Sequence, residues 1–156
     1  MKRAFALGLV LAQFLLLAAL VLLPHGSLWP VNALVIAVAI VLGAVGVLLA
    51  VLGAMRLGSA LTASPIPRER AQLVTGGVYG HVRNPMYTGL MVGGLGLALL
   101  GASVWHITVW VALVLLLAGK ARWEERMLVA AHPDYAGYAA RVGRFLPGIG
   151  RLRPPS

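Results

Sequence analysis

The tightest constraint on this chain is how far it runs without a charge. Ala4 to Leu23 is a stretch of 20 residues whose only strongly polar member is Gln13. Val31 to Met55 carries no charge, and Met86 to Gly119 carries none with His106 neutral. A helix of about 20 residues rises about 30 Å, the thickness of a bilayer's hydrocarbon core. The third stretch holds 34 residues. That is too long for one crossing and just enough for a tight helical hairpin turning at Gly101-Ala102-Ser103. Each arm has only about 17 residues, near the lower limit for a span, and Lys120 can snorkel to extend the second. The expectation is an all-α integral membrane protein with four transmembrane helices, near 4–23, 31–55, 86–102 and 103–119. A loop covers 56–85, and a helical end and tail cover 120–156, in a single membrane domain 1–156. Composition agrees: hydrophobic residues make up 60% and charged residues 11%, against about 25% charged in a soluble domain.

Lys2 and Arg3 before the first run suggest a signal peptide. The run is longer than a typical signal core, however, and no clear A-x-A-like site precedes Pro24, so it reads as a span. Pro30 suits the start of the second helix, where a missing N–H costs little. Small residues four apart (Ala39/Gly43, Gly46/Ala50/Ala54 and Gly89/Gly93) form stripes that let helices approach closely in lipid. The stripe on the second run also offers a face for a second copy of the chain, a homo-oligomer.

Charge placement sets the orientation. Two of the 13 Lys and Arg precede the first run: Lys2 and Arg3. Four lie between the second and third (Arg56, Arg68, Arg70, Arg83), and seven follow Gly119 (Lys120, Arg122, Arg126, Arg141, Arg144, Arg151, Arg153). The other two connections carry none. The positive-inside rule then places both termini and the 56–85 loop in the cytoplasm, in a multi-pass protein of the cell (inner) membrane. The net charge of +9 is thereby a topology signal, and no aromatic-basic interleaving points to nucleic acid. Without cysteine, disulfides and thiolate chemistry are excluded. The four His are scattered, so no metal site is expected.

The first three expected spans lack the ionisable group that ion-coupled transporters usually need at depth. Chemistry is expected at the cytoplasmic surface, in two clusters. The first is Val78-Tyr79-Gly80-His81-Val82-Arg83-Asn84-Pro85-Met86-Tyr87. Pro85 pushes Asn84 into an extended conformation and suits a first helical turn, and Asn84 suits an N-cap. The free N–H groups of that helix start, with Arg83, make an anion-attracting corner. The plainer reading is a capped helix with Arg83 as a topology anchor. The second cluster is Lys120-Ala121-Arg122-Trp123-Glu124-Glu125-Arg126-Met127. Adjacent helical residues point about 100° apart, so Glu124 and Glu125 cannot both face one point. One is free to face a ligand while the other pairs with a basic neighbour, with Arg122 an i, i+3 candidate for Glu125. The plainer reading is a salt-bridged helix end. The hairpin makes the two clusters neighbours, which suits a zwitterionic ligand, although many polar ligands meet that description. His132 to Arg144 reads as a short surface helix, with Tyr135, Tyr138 and Val142 three and four apart.

Leu73-Val74-Thr75-Gly76-Gly77-Val78-Tyr79 and Arg83-Asn84-Pro85-Met86-Tyr87-Thr88-Gly89, followed by Arg122, Glu124-Glu125, Tyr135, Tyr138, Arg141 and Pro147, resemble the signature of the isoprenylcysteine carboxyl methyltransferase family. The related phospholipid N-methyltransferases are close in pattern. The resemblance covers roughly Pro65 to Pro147. It implies a membrane-embedded methyltransferase that uses S-adenosylmethionine and a lipophilic or membrane-lipid acceptor, with the cofactor site built by the last two spans and the C-terminal segment. The motif positions it transfers are Tyr79, Arg83, Asn84, Pro85, Tyr87, Gly89, Glu124 and Glu125. On that basis the expectation here is that Arg83 and the following helix start hold the cofactor carboxylate, and that Glu125 or Glu124 binds its ammonium or ribose hydroxyls. Arg83 and Glu125 are then the residues closest to the chemistry. Asn84 stands where many members have His and cannot act as a base; His81 is a substitute. A carboxylate acceptor needs no base and is the expectation here. A phospholipid amine acceptor, a non-catalytic scaffold of the same fold, and a reductase with a related C-terminal module are the alternatives.

Overall fold

The computed structural model describes residues 2–58 and 73–152, with Lys2 and Arg3 described as backbone only. Arg68, Arg70, Arg153 and the 59–72 part of the expected loop lie outside the described residues. The elements are α1 (Lys2–Leu22), α2 (Ala33–Leu57), a 3-10 turn (Gly77–Gly80), α3 (Pro85–Gly101), α4 (Val104–Ala131) and the short α5 (Tyr135–Arg141). The chain is an all-helical, membrane-spanning bundle; among the described residues no strand forms, only isolated bridges such as Val82 with Gly143.

Three helices, α1, α2 and α4, are long and apolar enough to cross a membrane, and α3 has 17 residues. The four-span expectation is therefore met at three helices, and α3 falls just short for the reason visible in the sequence: two arms share 34 apolar residues. The second arm is part of a longer helix, since α4 runs 28 residues without a break through Lys120 and the two glutamates. The start of α2 also differs from expectation. Pro30 lies outside the helix, and Asn32 is the N-cap, its side chain accepting from Val35 N at 3.1 Å. A side-chain acceptor for a free N–H outweighs proline's passive fit.

The bundle is ordered by close approach. α2 packs along α3 where small residues remove the barrier: a Cβ on Gly89 would lie 2.4 Å from Gly46 O, and one on Gly46 would lie 2.6 Å from Gly89 O. Gly96 meets Ala39 O in the same way. Most of the small-residue stripe on α2 is thus taken up within the chain, whereas Gly43 has nothing within 4 Å. α1 packs on α4 and α3 around Leu20, Ala98, Leu113 and Leu117. Large apolar side chains stay exposed on the outward faces, including Leu15, Leu34, Ile40 and Val47, as expected where the solvent is lipid.

At one end of the bundle the α3–α4 turn is made by Ala102, buried and left-handed at φ 44°, followed by Ser103, whose Oγ accepts from His106 N at 3.2 Å. The α1–α2 connection docks on this turn through Gly26 N to Gly101 O (2.7 Å), Leu28 N to Ala102 O (2.9 Å) and the Trp29 indole to Leu99 O (2.9 Å). The opposite end carries the charged side chains. There α5 is shorter than the expected 132–144 helix, and its Tyr135 and Tyr138 are buried against Leu73, Leu128, Val142 and Leu152.

Candidate functional site

The charged end is assembled from the segment before α3, the outer part of α4, and residues 142–152, which cross over both as a strap. Arg83 is its hub. The side chain is fully buried, and its Nε and Nη2 donate to Glu125 Oε1 at 3.1 and 2.9 Å. Nη1 donates to Ala139 O (2.9 Å) and to Val142 O, and Nη2 also reaches Gly150 O at 3.0 Å. A guanidinium has five N–H groups, and all five meet protein acceptors. Glu125 is 3% exposed and is completed from its other side by Arg144, whose Nη2 lies 2.8 Å from Oε2. One carboxylate therefore serves two guanidiniums.

The strap folds this way because its glycines permit it. Gly148 and Gly150 adopt φ of 76° and 74°, conformations that a side chain disfavours. They turn the chain so that Arg144 N donates to Ile149 O (2.8 Å) and Leu152 N to Ala139 O (2.9 Å). Backbone bonds from Arg83 N to Gly143 O (2.8 Å) and from Asn84 N to Arg144 O (3.1 Å) fasten the strap to the start of α3.

The signature residues divide by role. Asn84 occupies the N-cap position but makes no side-chain cap; its Nδ2 donates to Glu125 Oε1 (3.3 Å) and Arg144 O (3.4 Å). The expected cap yields because a buried carboxylate competes for the amide. Thr88 ties the first turn to the strap, its hydroxyl donor shared between Asn84 O at 3.1 Å and Phe145 O at 3.0 Å. Pro85 and Gly89 are buried, and Gly89 serves the α2–α3 contact. Tyr79 is buried, with its carbonyl accepting from the Tyr138 hydroxyl at 2.6 Å. His81 is exposed, and its Nδ1 lies 3.3 Å from Gly77 O. Burial pushes the Tyr138 phenol up to about 12; Glu125 also raises it and Arg83 opposes the rise. Tyr79 and Tyr135 are raised further, again chiefly by burial. All three remain neutral near pH 7.

The sequence expectation has Arg83 meeting a cofactor carboxylate and Glu125 or Glu124 its ammonium or ribose hydroxyls, with Arg122 a candidate partner for Glu125. Arg83 has no N–H left for a ligand in this arrangement. Among the described residues the ion pairs of Glu125 are with Arg83 and Arg144.

Glu124 points to the other flank of α4. Its Oε1 accepts from the Tyr87 hydroxyl at 2.7 Å, and it is half-buried. Beside it the Lys120 ammonium, 4% exposed, donates to Gln13 Oε1 at 3.0 Å and sits 4.9 Å from the centre of the Tyr87 ring. Phe5 of α1 packs edge-on against Trp123 at 5.2 Å. Sequence reasoning missed the roles of Gln13, Lys120 and Arg144. The available signal was Gln13, alone in an apolar run. On the strap side, Arg122, Glu125, Arg126, Val129, Arg144 and Leu152 line a cleft of about 330 Å³.

The fold and site define a helical membrane protein whose polar groups gather at one end of an apolar bundle, where the α3 start, α4 and the C-terminal strap meet. The chain belongs to the phospholipid methyltransferase family, which residues 34–135 match. It is 38% identical over 117 residues to a cobalt-zinc-cadmium resistance protein of Cupriavidus metallidurans, covering 74% of this chain and 52% of that protein. It is 32% identical over 115 residues to a nickel-cobalt-cadmium resistance protein of Alcaligenes xylosoxydans xylosoxydans, covering 73% and 52%. The chain thus spans about half the length of the curated relatives it matches. No solved structure matches it.

Proposed function

We propose that this chain is a membrane-embedded methyltransferase that uses S-adenosylmethionine and modifies a lipophilic acceptor. The observation that carries this reading is the half-buried Glu124 carboxylate at the Tyr87 hydroxyl, in a chain of the phospholipid methyltransferase family. In this reading α3 crosses the membrane as the return arm between α2 and α4, both termini are cytoplasmic, and the charged end faces the cytoplasm.

S-adenosylmethionine supplies a methyl group already activated on a sulfonium. With its ammonium and carboxylate it carries a net positive charge, so its cationic part calls for a carboxylate or an aromatic face. Glu124 supplies the carboxylate, held by the Tyr87 hydroxyl, while one face of the Tyr87 ring is already taken by the Lys120 ammonium. The cleft on the strap side, with three guanidiniums around a carboxylate already shared with Arg83, is not complementary to a cation. Arg83, Asn84 and Glu125 are then positioning residues: they lock the start of α3 to α4 and so fix where Tyr87 and Glu124 stand. Transfer needs donor and acceptor held in line with water excluded, a demand on rigidity rather than on covalent help.

Family membership favours a phospholipid amine as acceptor over the carboxylate expected from the sequence. An ammonium must lose a proton before it attacks, and Glu124 is the carboxylate placed to take it. A second reading, favoured by the names of the two relatives, is a contribution to metal resistance: full methylation of an amine headgroup removes the nitrogen lone pair that binds a metal.

The test is transfer of a labelled methyl group from S-adenosylmethionine to membrane lipid by the purified protein. Label in an alkali-stable amine headgroup is the expected result. Label released by mild alkali as methanol would identify an ester and so a carboxylate acceptor. No label, from protein shown to be folded and offered both lipid classes, would sink the methyltransferase reading.

A further inference from the structure

The strap-side cleft is left without a task by this reading, and its chemistry differs from that of the Glu124 flank. Arg122 and Arg126 are exposed and stand one turn apart on α4, at the i, i+4 spacing that brings side chains within about 5–6 Å. Like charges at that spacing repel. Among the described residues neither is ion-paired with a carboxylate, and the cleft's own Glu125 is committed to Arg83 and Arg144. Arg144 borders the cleft with its side chain 16% exposed. Forked guanidinium donors match phosphate oxygens in pairs.

Depth identifies the source of the phosphate. Gly119 is the last residue of the charge-free run. At 1.5 Å per residue, Arg122 and Arg126 lie about 4.5 and 10 Å beyond it along α4. The polar layer on each side of the hydrocarbon core is about 5 to 8 Å thick. Phe5, at the start of the apolar run of α1, packs on Trp123, which sets Arg122 at the edge of the hydrocarbon and Arg126 about 6 Å beyond it, within the polar headgroup layer.

We propose that this cleft is a lipid phosphate site, in which Arg122 and Arg126 bind the phosphodiester of an anionic phospholipid and Arg144 borders it. The site is separate from the Glu124 corner, and its occupancy does not depend on methyl transfer. A lipid held there would brace the outer part of α4 and the strap against the membrane surface.

The test is calorimetric binding of short-chain phosphatidylglycerol to the full chain in a neutral detergent. Saturable binding at one site is expected, weakened at least tenfold in the Arg122→Gln/Arg126→Gln variant. Arg141→Gln removes an exposed charge at the end of α5, outside the cleft, and should stay within about twofold of the native chain by the additivity expected of distant sites. An equal loss per charge removed in both variants would reduce the effect to general surface attraction and overturn the site. Displacement by equimolar inorganic phosphate would overturn the lipid assignment in favour of a free anion. Displacement by S-adenosylmethionine would give the cleft to the cofactor instead. All these readouts are binding measurements, so failure of the methyltransferase reading leaves them interpretable.

Discussion

Glu124 and Glu125 are adjacent in sequence, yet α4 turns them into two differently built regions. On the strap flank, Glu125 is saturated by Arg83, Asn84 and Arg144, and Arg83 also ties down three backbone carbonyls, those of Ala139, Val142 and Gly150. On the α1 flank, Glu124 has the Tyr87 hydroxyl, and the neighbouring Lys120 has Gln13. A network built on a buried guanidinium with every N–H matched is a rigid joint, since breaking a member strands the others in a low-dielectric setting. A carboxylate with a single neutral donor keeps acceptor capacity for a ligand. The comparison separates the residues that build the site from those that would touch what binds there.

Removing the hub carboxylate should have the largest effect. Glu125→Leu leaves Arg83 buried without its counter-charge, and breaking one partner of a buried pair costs about 3–5 kcal/mol. A large drop in the thermal midpoint in detergent, or failure to fold, is expected. A midpoint close to the native one would mean that the strap flank is not the rigid joint described. Next comes Gln13→Leu, which strands the Lys120 ammonium and should cost about 1–3 kcal/mol by the penalty for an unsatisfied buried donor. Combining it with Lys120→Met removes both partners and should restore most of that loss, because replacing a polar pair by apolar groups is near neutral. A double variant as unstable as the single one would show that Lys120 holds the α1 flank through its charge rather than through Gln13. The smallest effect belongs to Tyr87→Phe. It deletes one partly buried hydrogen bond and should lower stability by only about 1–1.5 kcal/mol, with a larger proportional loss in cofactor affinity. Equal, small losses in both would remove Tyr87 from the ligand's surroundings.

Much of this architecture was legible in the sequence for a simple reason: lipid forbids charge, so charge-free runs mark helices, although α4 runs on past its apolar stretch through Lys120, Arg122 and Arg126. The Gly101-Ala102-Ser103 turn and the close approach at Gly89 follow from the same local rules. The helical offset of about 100° between neighbours already required Glu124 and Glu125 to part. Their partners were not legible. Arg83 meets residues 42 to 67 positions away, and Lys120 meets Gln13 across 107 positions, with no periodicity to announce either contact. Asn84 looked like a helix cap because local propensity favours it there. The buried Glu125 oxygen, supplied by tertiary packing, takes its amide instead.

The most direct test sets the two carboxylates against each other in one experiment: binding of S-adenosylmethionine and thermal unfolding, both measured on Glu124→Gln and Glu125→Gln in detergent. The account predicts that Glu124→Gln keeps a near-native midpoint and loses at least tenfold in affinity, about 1.4 kcal/mol or more, whereas Glu125→Gln loses stability first and affinity only as the fold loosens. A Glu124→Gln protein that binds the cofactor as the native chain does, beside a stable Glu125→Gln protein that does not, would contradict it.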